Sequence, residues 1–351
     1  MLRRIVPSLV VSAAPLALPA QQPMEALWYS TRSQASTRSF LEHAAHISIV
    51  APQVYSFDST GAIRGSVDQR VLDKARESHV RVVPLVTNPG FSQPIIHRIL
   101  TVPSARARAV RGMTALCRDN LFDGLQFDVE NVAIGDKQAF TSFARETADS
   151  LHRVGCTLSA AVVPRLSEDR GPTDYHHWMF DNWRGVYDYK GLADALDFLS
   201  YMTYAQHTGA SPPGPVAGYT WMEECLRYIL SLGVPPSKIS LGIPTYSDYW
   251  YPGYDTARGP RMRGRDIGFA TAESLLTRRG LRASWDDREK SPFAIWSEQG
   301  VYEYLWIEDA RAFAAKLELV GKYKLRGYSV WVLGLEDPRV WDALPKTGRG
   351  R

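Results

Sequence analysis

The chain has 351 residues, 45% hydrophobic and 22% charged, the profile of an ordinary globular protein with a large core. Its formal charge of +4 is modest, and the basic residues are dispersed apart from the 346–351 tail, so no nucleic-acid partner is expected. Cys117, Cys156 and Cys225 are odd in number, widely spaced and set among apolar neighbours, which predicts buried free thiols rather than a disulfide framework. The eight histidines show no ligand spacing, and the His176–His177 pair falls in a loop-like stretch, so neither a metal site nor a cofactor is expected.

In chain order, residues 1–22 open with Arg3 and Arg4, run apolar from Ile5 to Leu18 and break at Pro19, Ala20 and Gln21. That is the layout of a secretory signal peptide. The run falls short of the about 20 apolar residues that a spanning helix needs, and no later segment qualifies. The expectation is an exported protein, secreted or held in the periplasm or cell envelope. Strand-like runs then recur at 25–29, 47–55, 81–87, 124–130, 157–163, 198–204, 239–246 and 327–333. Helical patterns lie between them at 69–78, 105–118, 138–154, 189–195 and 221–232. Strands alternating with helices in this way predict an α/β protein, a (β/α)8 TIM barrel. No Gly-rich phosphate loop follows the first strand, which argues against an open doubly wound sheet.

The stretch from the seventh strand to the eighth is too long for a simple crossover. Residues 247–307 are rich in Gly, Arg and aromatics and include a hairpin-like pair, 293–297 and 302–307, around Glu298, Gln299 and Gly300. Asp309 is placed to cap a helix over 310–323. The organisation read here is a catalytic domain at 23–345 carrying a small α+β insertion at 247–307, followed by a solvated tail at 346–351.

The most informative stretch is Phe122 to Asn131, where apolar and acidic residues alternate. Alternation is the period of a strand, so Gly124, Gln126, Asp128 and Glu130 share one face and Leu125, Phe127 and Val129 the other. Asp128 and Glu130 would have Cα atoms about 6.5–7 Å apart, given a rise of about 3.3 Å per residue. At that spacing one carboxylate raises the pKa of its neighbour, which suits Glu130 to remain a protonated general acid near neutral pH.

The segment from Asp123 to Glu130 resembles the Asp-Gly-x-Asp-x-Asp-x-Glu signature of glycoside hydrolase family 18, the chitinase-like family, with Gln126 in place of one acidic residue. Three further segments match that family in order. Ser200-Tyr201-Met202-Thr203-Tyr204 is similar to its Met-x-Tyr-Asp motif, with Ala205 where the Asp is usual. Gly242-Ile243-Pro244-Thr245-Tyr246 is similar to its Gly-x-Pro-x-Tyr strand, and Ser329-Val330-Trp331 to its last strand. The resemblance covers roughly residues 25 to 342.

It implies substrate-assisted catalysis, in which the acetamido oxygen of the substrate attacks the anomeric carbon. Glu130 would then be acid and base, Asp128 would orient the acetamide and stabilise its positive charge, and Tyr204 would hold its carbonyl. Trp331 would form the floor under the sugar, with Tyr246, Met202, Asn131 and Gln126 also at the substrate. Gln126 is expected to donate a hydrogen bond to ionised Asp128 and so shift the pH dependence.

Any such substrate carries a 2-acetamido group. Asn131 after the glutamate, Tyr187 to Lys190 before the sixth strand and Gly334 to Pro338 after the eighth resemble the spore-germination branch of the family, which acts on peptidoglycan. The expected partner is therefore a polysaccharide met by a monomer, with peptidoglycan first. A chitinase or chito-oligosaccharide hydrolase is the alternative, and a non-catalytic lectin-like member the third. Trp250, Tyr251 and Tyr254 are candidates to line a groove, and Arg258, Arg261, Arg263 and Arg265 to make it basic.

Overall fold

The computed structural model describes residues 24–346. The signal peptide read at 1–22 lies outside the described residues. Eight parallel strands close into a barrel: Glu25–Ser30, Ile49–Phe57, Leu85–Thr87, Gly124–Asp128, Thr157–Val162, Phe198–Tyr201, Ile239–Pro244 and Gly327–Trp331. Closure is made by the first strand, which pairs with the eighth in the register Glu25↔Gly327 and with the second in the register Leu27↔Ile49.

Period-two alternation sorts the side chains. Leu27, Tyr29, Ile49, Ala51, Leu85 and Phe198 fill the barrel interior, while Trp28, Val50, Leu125, Phe127 and Leu199 join the layer under the helices. Phe127 is fully buried and stacks on Phe143 with ring centroids 5.3 Å apart. Burying a side chain of that kind stabilises the fold by about 1.5–3 kcal/mol. Short polar side chains start the helices: Asp68 accepts from the Arg70 amide, Asp188 from Gly191 and Asp309 from Ala312. His176 and His177, expected in a loop, lie instead in the short helix Asp174–Met179, which Thr173 caps.

The fourth to eighth barrel strands stop one to three residues short of their expected ends, and for two of them the C-terminal rim shows the cause. The fourth ends at Asp128 because the Glu130 backbone is taken by the Asn88 side chain, which accepts from its N–H (3.1 Å) and donates to its carbonyl (2.8 Å). The sixth ends at Tyr201 because the Thr203 amide turns back to the Tyr201 carbonyl (2.7 Å) and the Thr203 hydroxyl donates to Gly242 O (2.7 Å).

The cysteine expectation is overturned. Cys117 and Cys156 form a disulfide, with Cα atoms 6.6 Å apart, and Cys225 is the buried free thiol. Cys117 lies near the end of the helix Pro103–Asp119 that feeds the fourth strand, and Cys156 immediately precedes the fifth. These strands are parallel neighbours, so their N-terminal approaches meet at the same edge of the barrel. A sequence separation of 39 hides this adjacency. In the chain-entropy account a crosslink over that span restricts the unfolded chain by about 4 kcal/mol. Replacing both cysteines by serine is expected to lower unfolding stability by about 2–4 kcal/mol. Denaturant melts of the oxidised protein and the double variant check this; coincident curves would refute it.

Between the seventh and eighth barrel strands the chain forms an antiparallel five-stranded sheet and a helix. Tyr246–Asp255 pairs along its length with Gly259–Gly268 and also with Val301–Trp306, which pairs with Ser291–Glu298, and Ser284–Asp286 closes the edge. Tyr249, Ile267, Phe269, Leu275 and Leu305 give this unit its own small core. The buried pair Lys316–Glu308 lies where the helix Ala310–Lys322 meets it, with the Lys316 Nζ also 3.4 Å from the Ser291 hydroxyl.

Candidate active site

A cavity of about 690 Å³ opens at the C-terminal end of the barrel strands. Asp128 and Glu130 project into it from the fourth strand and the turn after it, Met202 and Tyr204 from the end of the sixth, Tyr246 from beyond the seventh and Trp331 from the eighth. Each position has a local cause. Gly242 lets Tyr204 pack closely, because a Cβ there would come within 2.5 Å of Tyr201 O and 2.9 Å of the Tyr204 ring. Trp331 precedes a cis peptide to Val332. Thr245 fastens that point, since its hydroxyl donates to Val332 O and accepts from Val332 N, each at 2.8 Å, while its own amide donates to Trp331 O at 2.8 Å.

Burial dominates the electrostatics of the two carboxyls. It raises Asp128 to about 6 against hydrogen bonds from Gln53 and Glu130 that pull it down. Glu130 is pushed well above the usual carboxylate range, first by burial, then by the Asp128 charge and the hydrogen bond between the two groups. The pair therefore shares one proton near neutral pH, held chiefly on Glu130. The Tyr204 hydroxyl is driven upward by burial and by Tyr29, Asp128, Tyr246 and Glu130, so it stays a hydrogen-bond donor.

The remaining expected residues have different places. Gln126 is fully buried in the barrel interior and does not reach Asp128. Its amide donates to Ser159 Oγ (2.9 Å) and Ser200 Oγ (3.1 Å), and its carbonyl accepts from the Tyr29 hydroxyl (2.7 Å). With its donors committed to the two serines, the expected contact with Asp128 is replaced by one from Gln53, whose Nε2 donates to Asp128 Oδ2 at 2.9 Å. Asn131, in left-handed backbone at φ 52°, does not line the cavity; its amide donates to Phe91 O at 2.9 Å and so holds the loop that carries Phe91 to the wall.

Gln53, Tyr29, Asn88, Arg184 and Asp266 were not singled out from the sequence, because each comes from another strand or loop and carries no local pattern. Trp250 is buried inside the insertion rather than in the groove. The aromatic rim is instead Tyr175, Trp178, Trp183 and Phe91, with Tyr175 and Trp178 more than half or half exposed at 59% and 50%. Arg261 and Arg263 pair with Asp255, and Arg265 lies over Tyr249 and Tyr251. No arginine of that hairpin lines the cavity.

Residues 29–336 match the family model described as "Glycosyl hydrolases family 18". The chain belongs to that family. It is a family 18 glycoside hydrolase by sequence and by barrel, and the spore-germination resemblance is supported by its relatives. It is 30% identical over 261 residues to the protein named sporulation-specific glycosylase YdhD of Bacillus subtilis (strain 168), covering 73% of this chain and 58% of that one. It is 26% identical over 261 residues to the cortical fragment-lytic enzyme of the same organism, covering 74% of this chain and 58% of that one. This chain thus spans under two thirds of the length of these two relatives. The crystal structure of a chitinase from Chromobacterium violaceum ATCC 12472 superposes with a TM-score of 0.81 at 28% identity, covering 93% of this chain and all of that one.

Within this family 18 site Gln53 holds the ionised form of Asp128. Gln53→Leu removes that hydrogen bond, so the Asp128 pKa rises and the acid limb of the kcat/KM profile moves to higher pH. A pH–rate profile of the variant tests this, and an unmoved acid limb would leave Gln53 without the role.

Proposed function

We propose that this protein hydrolyses β-1,4 bonds next to N-acetylglucosamine-type sugars by substrate-assisted, retaining catalysis, and that its substrate is peptidoglycan. The observation that carries the reaction is the proton-sharing pair Asp128–Glu130 facing the Tyr204 hydroxyl in one cavity.

Glu130 gives its proton to the glycosidic oxygen as the bond to the anomeric carbon breaks. The acetamido oxygen of the same sugar forms the new bond to that carbon, giving an oxazolinium ion. Asp128 accepts the acetamide N–H and balances the developing positive charge, while Tyr204 donates to the acetamide oxygen and orients it. Glu130, now ionised, takes a proton from water as the water oxygen bonds to the anomeric carbon and the bond from that carbon to the acetamido oxygen breaks, restoring the acetamide. Two inversions leave the configuration unchanged, and Glu130 ends reprotonated.

Peptidoglycan is favoured by the similarity to the cortical fragment-lytic enzyme. Export is supported by the basic-then-apolar start of the sequence and by the Cys117–Cys156 disulfide, a bond that persists in oxidising compartments. The chitinase reading keeps one specific observation: the rim of Tyr175, Trp178 and Trp183 offers flat apolar faces to an uncharged sugar polymer. A paired digest of purified peptidoglycan and chitin oligosaccharides, with Glu130→Gln as control and products read by mass spectrometry, decides between them. Release from peptidoglycan by the unaltered protein alone is the expected result. Release only from chitin would replace the substrate, and binding without release from either would replace the enzyme by a lectin.

A further inference from the structure

Three carboxyls, those of Asp128, Glu130 and Asp266, line the cavity among the described residues, and Arg184 is the one cation. Arg184 stands at a boundary. It also lines an adjoining recess of about 130 Å³, which shares Pro164 and Trp221 with the main cavity. Two more arginines lie there, but both are engaged. Arg165, almost fully buried, pairs with Glu168 and donates to the carbonyls of Arg184 (3.0 Å) and Tyr187 (2.9 Å), and Arg170 pairs with Asp181.

Arg184 takes part in no ion pair among the described residues, and its Nε is buried with no hydrogen-bond partner. Its backbone is fixed. The turn Phe180–Arg184 closes through the Gly185 amide to Phe180 O at 2.7 Å, and a Cβ on Gly185 would lie 2.7 Å from the Phe180 ring and 2.8 Å from Ile134. A guanidinium is always charged and presents a planar fork of donors matched to a carboxylate. Its terminal nitrogens, which meet no acceptor among the described residues and keep contact with the cavity, are the donors left for a ligand.

The geometry points to Arg184 as a specificity residue that receives a carboxylate carried on a substituent of the glycan, with the adjoining recess taking the substituent. This rests on the peptidoglycan reading and deepens it: the sugar bearing the substituent is an acidic amino sugar, not a plain N-acetylglucosamine. Two sources fit the same chemistry, a free lactyl carboxylate on the sugar and a carboxylate on the peptide attached there. At about 130 Å³ the recess is about a fifth the size of the main cavity of about 690 Å³. That matches a short lactyl arm better than a peptide.

The test measures binding in the Glu130→Gln background, so that no substrate is consumed, with and without Arg184→Gln and with Arg184→Lys as the charge-keeping variant. The probes are peptide-free glycan fragments with the lactyl carboxylate free, the same fragments methyl-esterified, peptide-bearing fragments, and neutral chitin oligosaccharides. Arg184→Gln is expected to weaken the free-lactyl fragments by about tenfold, the scale of one lost charged hydrogen-bond pair, and to weaken the esterified and neutral sugars at least fivefold less. Arg184→Lys should recover part of the difference, and added salt should reduce it.

A selective loss confined to peptide-bearing fragments would move the carboxylate to the peptide and keep the role of Arg184. Equal losses on charged and neutral sugars, or no loss on either, would overturn the inference. The unaltered protein digested in parallel separates the two readings. Cleavage of peptidoglycan with equal losses overturns Arg184 alone, whereas cleavage of chitin alone overturns the substrate reading beneath it.

Discussion

Replacing Glu130 by glutamine is expected to lower kcat by about 10³-fold, within the range for loss of a positioned general acid–base. KM should change far less, because the amide keeps the shape and a hydrogen bond while losing the proton that goes to the leaving oxygen. The thermal midpoint should not fall. Burial and the Asp128 charge make this carboxyl unfavourable to ionise in the folded state, so removing its titration removes a penalty on the fold.

The pH dependence follows from the same pair, whose active form carries one proton. As pH falls through the first ionisation, near the value of about 6 to which Asp128 is raised, the pair takes a second proton and loses the charge that the proposed mechanism uses to stabilise the oxazolinium. As pH rises through the second ionisation, Glu130 loses the proton that the proposed mechanism has it donate. A bell-shaped kcat/KM profile is therefore expected, with an acid limb near 6. Asp128→Asn should lower the rate and abolish that limb. A profile of Asp128→Asn that keeps the acid limb would assign it to another group.

The largest expected effect on stability lies away from the chemistry. Lys316→Met should destabilise the fold by about 3–5 kcal/mol, because it leaves the Glu308 carboxylate buried and unpaired. Side-chain exposure is 0% for Lys316 and 2% for Glu308, so water cannot take over the role of the partner. Glu308 is already raised to about 7, by burial against the opposing pull of Lys316. Lys316 is lowered, again first by burial.

A carboxyl whose folded pKa lies above its unfolded value favours the fold at low pH and loses that contribution as pH rises. The deficit of Lys316→Met should therefore be smaller at pH 5 than at pH 8. Pairing it with Glu308→Leu should recover much of the loss, since an apolar pair often replaces a buried ion pair without penalty. Urea melts of the four proteins of this double-mutant cycle give the answer. Equal stability of Lys316→Met and the unaltered protein would mean that the pair holds nothing.

The barrel, its insertion and the acidic end of the fourth strand were legible from local order. Period-two alternation from Gly124 to Glu130 put Leu125 and Phe127 under the helices and Gln126 and Asp128 inside the barrel, as found. Asp309 caps its helix because an N-cap needs only a side chain three residues from its partner. Local pattern cannot report which distant side chain meets which. Gln53 reaches Asp128 across 75 residues, Tyr29 reaches Gln126 across 97 and Asn88 reaches Glu130 across 42.

Those encounters exist only once parallel strands stand side by side. They overturned three expectations of the sequence: Gln126 is bound to Tyr29 and two serines instead of Asp128, Asn131 serves the Phe91 loop instead of the substrate, and Cys117 is joined to Cys156 instead of being a free thiol. The same holds for charge. Of the arginines at 258–265, candidates for a basic wall, Arg261 and Arg263 are neutralised by Asp255, and the cavity takes its one cation among the described residues from Arg184. Alternation and capping are short-range and survive in the sequence, whereas pairing, burial and ionisation depend on neighbours that only the closed barrel supplies.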